Sequence, residues 1–293
     1  MVSPVTEAAS IRVFGFICYG GDSAMCSVTI SVVIPALNEA ANLPHVLPRI
    51  PPDVHEVILV DGHSTDETVE IARSLLPHIR VVYQEGRGKG AALRSGFAAA
   101  TGDVIVMLDA DGSTDPAEIP AFVGALCAGA DFVKGSRFLQ GGGTSDMPLY
   151  RRWGNGGLTW LVRILFGGCY SDLCYGYNAF WRHLVPMLRL NGDGFEIETM
   201  MNVRALMAGL KVAEVPSFES KRVYGEGRLR TIPDGWRVLK TIVRERWVRY
   251  EWAAERQRYL RMYEREVIET RQALAAGHDE SFDGDLERAV GEL

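Results

Sequence analysis

Between residues 29 and 135 the chain alternates short β-branched runs with helical patterns, and no other feature constrains its fold as much. Thr29 to Ile34, Glu56 to Val60, Ile79 to Tyr83, Val104 to Leu108 and Asp131 to Gly135 read as five strands. Helical segments separate them at Asn38 to about Arg49, Ser64 to Leu76, Ala91 to Ala100 and Pro116 to Ala128. Ser64-Thr65-Asp66-Glu67 supplies a cap and first-turn acids for the second of these. Strands joined through helices cannot pair as tight hairpins. The pattern therefore predicts an α/β fold with a mostly parallel sheet flanked by helices.

In such sheets ligands bind where the carboxyl ends of strands open into a crevice. The run Asp103-Val104-Ile105-Val106-Met107-Leu108 reads as a buried strand, and Asp109-Ala110-Asp111 follows it directly. Two acids separated by one small residue can face a hard cation together, and that cation in turn holds phosphates. After Phe138 the pattern changes. Gln140 to Ser145 is a Gly-rich loop, and Leu149 to Phe166 an amphipathic helix carrying Arg151, Arg152 and Arg163. Asp172 to Trp181 is rich in aromatic residues, Glu196 to Ala208 helical, and Lys211 to Val215 a strand. Pro233 to about Ala275 is a long helical pattern, broken at least once and rich in Arg, Trp and Tyr.

A net charge of −6 argues against a nucleic-acid partner. The five cysteines are odd in number and lack CxxC spacing, so they read as free thiols rather than a zinc site or disulfide framework. The best apolar stretches, Ile11 to Tyr19 and Leu158 to Phe166, are much shorter than the roughly 20 residues a membrane-crossing helix needs. The expected divisions are an N-terminal extension over 1–27, the α/β domain over 28–230, a C-terminal helical region over 231–276 and an acidic disordered tail over 277–293. The first 27 residues make a poor signal peptide, and Met25 is a candidate start.

Four pieces line up in order: Val33-Ile34-Pro35-Ala36-Leu37-Asn38-Glu39; Val60-Asp61-Gly62-His63-Ser64-Thr65-Asp66; Gly86-Arg87-Gly88-Lys89-Gly90; and Asp109-Ala110-Asp111. Over residues 29–230 this arrangement resembles family 2 glycosyltransferases with the GT-A fold. Within that family it is most similar to the polyprenyl-phosphate (dolichyl-phosphate-type) mannosyl- and glucosyltransferases. The resemblance implies a metal-dependent, inverting transfer of a hexose from a GDP- or UDP-hexose. Pro35, Ala36, Asn38, Glu39, Asp61, Arg87, Lys89 and Ala110 are then expected to bind the nucleotide. Asp61 suits a base N–H or ribose hydroxyl, or alternatively caps the following helix. Glycines around Arg87 and Lys89 let backbone come close to a ligand. Asp109 and Asp111, with Ser113 as a weaker partner, are expected to hold Mg²⁺ or Mn²⁺. The chain departs from the branch at Gly62, where a second acid is usual, and at Ser113, where Gln is often found. His63 reads as a surface residue rather than a catalytic one.

On the acceptor side, Gly135-Ser136-Arg137-Phe138 matches a further family element, and Arg222-Val223-Tyr224-Gly225-Glu226-Gly227-Arg228-Leu229 resembles another, with Gly227 in place of Ser and Arg228 in place of Lys. Arg137, Arg151, Arg152, Arg222 and Arg228 are the candidates for holding an acceptor phosphate or the donor diphosphate, since the guanidinium fork suits phosphate. Salt bridges to Glu219 or Glu226 are the alternative. Asp172, heading Asp172-Leu173-Cys174-Tyr175-Gly176-Tyr177-Asn178, is the first candidate for a general base if the acceptor is a hydroxyl, with Glu196 and Glu198 next. A phosphate acceptor is already an anion and needs positioning instead. Arg137 and Arg222 join Asp172 as the expected catalytic residues.

The leading acceptor is a polyprenyl phosphate at the cytoplasmic face of the membrane, with a soluble or lipid hydroxyl as the alternative. The helix at Leu149–Phe166 and the region Trp236–Tyr263 mix bases with large apolar residues. That composition suits a bilayer interface, an ordinary packed helix or a homodimer contact. Two other classes remain. A nucleotidyltransferase would carry its glycine-rich loop after the first strand, where Pro35 to Glu39 stands instead. A non-catalytic nucleotide-binding scaffold has no need of Asp109, Asp111, Arg137 and Asp172 together.

Overall fold

The computed structural model describes residues 13–15, 26–248, 252, 257–258 and 261. It opens with a short antiparallel pair, β1 (Val13–Gly15) and β2 (Cys26–Val28), inside the stretch expected to lack pattern. Next come β3 (Ile30–Ala36), α1 (Leu43–Val46), β4 (Glu56–Asp61), α2 (Thr68–Leu75), β5 (Arg80–Tyr83), α3 (Lys89–Ala99), β6 (Val104–Met107), α4 (Ile119–Cys127) and β7 (Phe132–Ser136). The second half carries β8 (Gly143–Thr144), α5 (Leu149–Phe166), β9 (Asn178–Trp181), α6 (Val185–Leu188), α7 (Glu196–Met207), β10 (Val212–Pro216), β11 (Phe218–Glu219) and α8 (Thr231–Trp247). The chain divides into two compact units, Met1–Tyr250 and Glu251–Leu293, and everything described below belongs to the first. The expected acidic tail and most of the helical pattern beyond Trp247 lie outside the described residues.

The expected parallel sheet is present, with seven strands in the order β10-β7-β9-β6-β3-β4-β5. Its centre is buried on both faces, which is why β3, β4 and β6 read as nearly continuous apolar runs. Val32, Ile34, Leu59, Val104 and Val106 join the main core cluster on one side. The chain leaves β3 first toward β4 and β5 and later returns to β6 on its other flank. The gap between β3 and β6 is therefore a topological switch point, where ligand clefts form.

Two elements differ from the expectation. The helix over Asn38 to Arg49 is only α1 followed by a 3₁₀ turn, Leu47–Arg49. Pro44 and Pro48 explain it, because each removes a donor and disfavours helical backbone at the residue before it. The aromatic segment after Asp172 holds β9, which runs antiparallel between β6 and β7. An aromatic-rich run without a flanking turn signal gave no strand boundary.

The α5 helix has the expected bounds, and it buries a mostly polar face. Its buried positions are Asn155, Thr159 and Val162. Leu149, Tyr150, Trp153, Trp160 and Ile164 are exposed, Trp153 by 80%. A smaller apolar cluster of Val162, Tyr170, Leu173, Val203, Val238 and Ile242 joins α5, α7 and α8. Inside it the Arg204 guanidinium donates to both Glu245 carboxylate oxygens at 2.9 Å, tying α7 to α8. Arg204 also donates to Leu188 O at 3.0 Å.

Candidate active site

The carboxyl ends of β4, β3 and β6 lie side by side, and three of the expected acids stand there. Asp61 ends β4, and it is almost fully buried. Its Oδ2 accepts the Ser64 N–H at 3.0 Å, so it does cap the following turn. Its Oδ1 is buried with no partner. Buried acceptors are nearly always satisfied, so an open one at a strand end is a place for a ligand's N–H or O–H. The turn beside it is tightly cross-braced. Asn38, at φ 49°, donates its N–H to Ser64 Oγ at 2.9 Å and accepts the Thr65 N–H at 2.7 Å. His63, at φ 61°, stacks on Tyr83 with ring centres 6.1 Å apart.

Beyond β6, Asp109 and Asp111 are half-buried and each meets a cation. Lys89 Nζ lies 2.6 Å from Asp109 Oδ1 and 2.7 Å from Glu198 Oε1. Burial, together with nearby Asp111 and Glu198, pushes the Asp109 carboxyl up to about 6 against the pull of Lys89. Arg222 Nη1 lies 3.3 Å from Asp111 Oδ2, and its Nη2 donates to Glu39 Oε2. Ser113 meets Asp111 through its backbone N–H at 3.0 Å, not through its hydroxyl. Ala110 is buried between the two acids.

The residues following β3 are more committed to protein than expected. The Ala36 carbonyl accepts the Gly62 N–H at 2.8 Å, and Pro35 lies in the strand, opposite Val60. The buried Glu39 carboxylate accepts from Asn42 Nδ2 at 2.7 Å as well as from Arg222. Asn42 in turn accepts the Tyr224 N–H at 2.8 Å. Val223 donates its N–H to Asp111 O at 3.2 Å, and Ser220 to Ser113 O at 2.8 Å. Residues 220–224 thus form a strap over the ends of β3 and β6. The strap carries Arg222 into the cluster of acids, on the donor side of the cleft.

The glycines of Gly86-Arg87-Gly88-Lys89-Gly90 do serve a close approach, but to protein. A Cβ on Gly88 would lie 2.3 Å from Asp193 O, and one on Gly90 2.3 Å from Gly192 O. The Gly90 N–H donates to Asp193 O at 2.8 Å. This packing sets the N-terminus of α3 and aims Lys89 inward, while Arg87 is exposed and has no partner among the described residues.

On the acceptor side the expectation for Arg137 and Asp172 changes. They are buried and paired with each other. Arg137 Nε donates to Asp172 Oδ2 at 2.6 Å, Nη2 to Oδ1 at 2.8 Å, and Nη1 to Glu219 Oε2 at 2.9 Å. Asn155 Nδ2 donates to Asp172 Oδ1 at 2.9 Å. Burial alone would raise the Asp172 carboxyl, but hydrogen bonds and charge from Arg137 outweigh it and hold it below the ordinary carboxylate range. An enclosed carboxylate made less basic by a guanidinium is poorly suited to taking a proton from an acceptor. The Arg137 guanidinium also lies over the Tyr175 ring, 4.8 Å from its centre. Of the other expected cations, Arg152 is exposed, 5.3 Å from the centre of the Phe138 ring, Arg228 is exposed and Arg151 half-buried.

Of the alternative bases, Glu196 Oε1 accepts the Gly194 N–H at 3.0 Å at the start of its own helix. Glu198 faces Lys89. The residues the sequence did not single out are Asn155, Glu214 and Asn42. Glu214 accepts the Ser171 N–H at 2.9 Å and the Ser171 hydroxyl at 2.8 Å, holding the loop that carries Asp172. Polar Asn155 and Thr159, four residues apart in α5, were the one available signal for a polar buried face. Cys169 and Cys174 have free thiols, as expected, and burial pushes the Cys174 thiol up to about 12.

A sequence model described as Glycosyl transferase family 2 matches residues 31–184. The chain is 32% identical over 212 residues to the polyprenol monophosphomannose synthase of Mycolicibacterium smegmatis, covering 68% of this chain and 80% of that one. It is also 32% identical over 210 residues to a dolichol-phosphate mannosyltransferase of Pyrococcus furiosus, covering 69% of this chain but only 59% of that relative's length. Among solved structures, it resembles the glucosyl-3-phosphoglycerate synthase of Mycobacterium tuberculosis in complex with Mn²⁺, UDP-glucose and glycerol 3-phosphate. The TM-score is 0.57 with 26% identity, over 76% of this chain and 82% of that one.

Proposed function

The chain belongs to glycosyl transferase family 2, and from that premise we propose that it moves a hexose from a nucleoside-diphosphate sugar to a polyprenyl phosphate, inverting the anomeric carbon. The carrying observation is the set of Asp61, at the end of β4, and Asp109 and Asp111, beyond the end of β6, on the two sides of β3, with the Asp61 Oδ1 acceptor left open. Asp61 receives an N–H or hydroxyl of the nucleoside. Arg87, exposed at the rim, and Lys89, at the floor, face the diphosphate.

The acids at 109 and 111 fit a hard divalent ion, Mg²⁺ or Mn²⁺, because they offer only oxygen donors. Among the described residues no group of three or more His, Cys, Asp or Glu converges as a metal cage. Asp109 and Asp111 would hold such an ion together with ligands from outside the protein. Such an ion neutralises charge on the departing nucleoside diphosphate. This chain's own cations, Lys89 and Arg222, sit within reach of the same leaving group.

The enclosed Asp172 supports an acceptor that needs no base. A phosphate oxygen attacks the anomeric carbon directly as the diphosphate leaves. Arg151, Arg152 and Arg228 hold that phosphate, and Arg137 with Asp172 shapes the floor beneath it. Exposed aromatic residues on α5 and α8, among them Trp153, Trp160, Trp236 and Trp247, lie among arginines and suit the interface of a membrane bearing the lipid. No described helix is long and apolar enough to cross one. The second reading, a small hydroxyl acceptor, is favoured by the glycerol 3-phosphate in the related synthase complex.

Thermal unfolding with UDP or GDP, each with and without Mn²⁺, tests the donor site. A ligand at about 100 times its dissociation constant stabilises the fold by about 2.7 kcal/mol. A metal-dependent rise in Tm with one nucleotide is expected and identifies the base. No rise under any of the four conditions overturns the proposal.

A further inference from the structure

Each of the two metal-type acids is held by a cation that also holds a second acid. Lys89 bridges Asp109 and Glu198, and Arg222 bridges Asp111 and Glu39. The four side chains of these bridges other than the aspartates are at most 15% exposed, and the two aspartates are 27% and 24% exposed. Four carboxylates against two cations leave two negative charges, the amount one divalent ion balances. One oxygen of each aspartate, Asp109 Oδ1 and Asp111 Oδ2, is however already held by a cation. We infer that Lys89 and Arg222 are retractable caps on the metal acids, which make divalent-metal binding depend on the nucleoside diphosphate. This inference rests on the donor-site reading above.

The arrangement lets each cap withdraw without becoming an unpaired buried charge. When Lys89 leaves Asp109 it keeps Glu198, and when Arg222 leaves Asp111 it keeps Glu39. Metal alone competes with both cations for the aspartates and gains nothing from the charges it displaces. Metal arriving with a diphosphate brings anionic oxygens that the freed ammonium and guanidinium can take. The two ligands therefore bind with positive coupling, and coupling between two ligands is reciprocal. Arg222 sits on the strap, which is tied to the site through Asp111 O, Ser113 O and Asn42. Its retraction links metal entry to the position of residues 220–224.

The test is Mn²⁺ binding to the full chain, read from the electron-paramagnetic-resonance signal of free Mn²⁺, with no sugar donor and no acceptor. Three conditions are compared: no nucleotide, UDP and GDP. The wild type is expected to bind Mn²⁺ at least about ten-fold more tightly with one nucleotide than without, the scale of one partly buried charge pair. Lys89→Met and Arg222→Met are each expected to tighten Mn²⁺ binding without nucleotide and to shrink the coupling. Lys221→Met, which removes the same charge from an exposed neighbour on the strap with no partner among the described residues, is expected to leave both unchanged. Arg222 lies on the strap, so its variant keeps the test open if the Lys89 variant fails to fold. Equal Mn²⁺ affinity with and without nucleotide in the wild type overturns the inference and leaves the donor site standing. An equal gain from Lys221→Met also overturns it, because the effect is then the general field. No Mn²⁺ binding under any condition overturns this inference and the metal assignment together.

Discussion

At the residue scale the proposed reading rests on Asp111 and its neighbour two residues away, Asp109, each paired with a cation that also holds a second acid. Asp111→Asn is expected to lower transfer from the nucleotide sugar by at least about 10²-fold, the scale of losing one charge-stabilising group. The variant should unfold at a temperature close to wild type, since Asp111 is partly exposed and only weakly bonded to Arg222. Full turnover by the variant with Mn²⁺ present contradicts the metal role. Away from the cleft, Glu56 accepts from Ser31 Oγ at 2.6 Å, Thr101 N at 2.7 Å and Thr101 Oγ at 2.8 Å. Burial opposes its charge, but these bonds and Arg80 outweigh it and hold its carboxyl below the ordinary 4.5. A lowered carboxyl adds stability above that value and loses it as acid protonates the folded state. Glu56→Gln should cost about 1–2 kcal/mol at pH 7. In denaturant titrations the two proteins should converge as the pH falls below 4.5; a constant gap down to pH 3 contradicts this account. Asp61, Asp109 and Asp111 were legible because strand ends are legible. The partners of Glu39 and Asp172 were not, since Arg222 lies 183 residues from Glu39 and Asp172 35 from Arg137.

Among the elements, α8 depends on one polar contact inside an apolar seam. Arg204 on α7 and Glu245 on α8 are 2% and 0% exposed at their side chains. Breaking a buried pair by removing one charge costs about 3–5 kcal/mol, because the other is left uncompensated. Glu245→Gln should therefore lower stability by an amount of that order and speed hydrogen exchange across Thr231–Trp247 before it affects the sheet. Equal protection of α8 in both proteins counts against the tie. Strands β3 to β7 and the bounds of α5 were readable from periodicity and β-branching. The face that α5 buries was not: a polar Asn and Thr point inward there because Asp172 and the backbone of Leu173 and Cys174 offer them partners. Periodicity records where apolar residues recur and says nothing of which side finds a neighbour. β9 escaped for a related reason, as its pairing with β6 and β7 is set by partners distant in sequence.

For the whole molecule, the exposed aromatic residues of α5 and α8 make a concrete expectation. With anionic-lipid vesicles at low salt the protein should float, and high salt should weaken the association because arginine contributes through charge. Sedimentation away from the vesicles under both conditions removes the membrane-surface reading. The seven-stranded sheet also has a consequence for how the chain assembles during synthesis. β7 touches the sheet only through β9 and β10, and β9 begins at Asn178, more than forty residues later. The strands from β3 to β6 find neighbours soon after they are made, so the nucleotide half can form as it emerges. β7, with the Arg137 that follows it, waits unpaired until the reversed strand arrives to bridge the gap. Long-range pairing of this kind is slow and leaves apolar edges open. The reversed strand is thus a late keystone, and truncation before Trp181 leaves the acceptor half with no sheet to join.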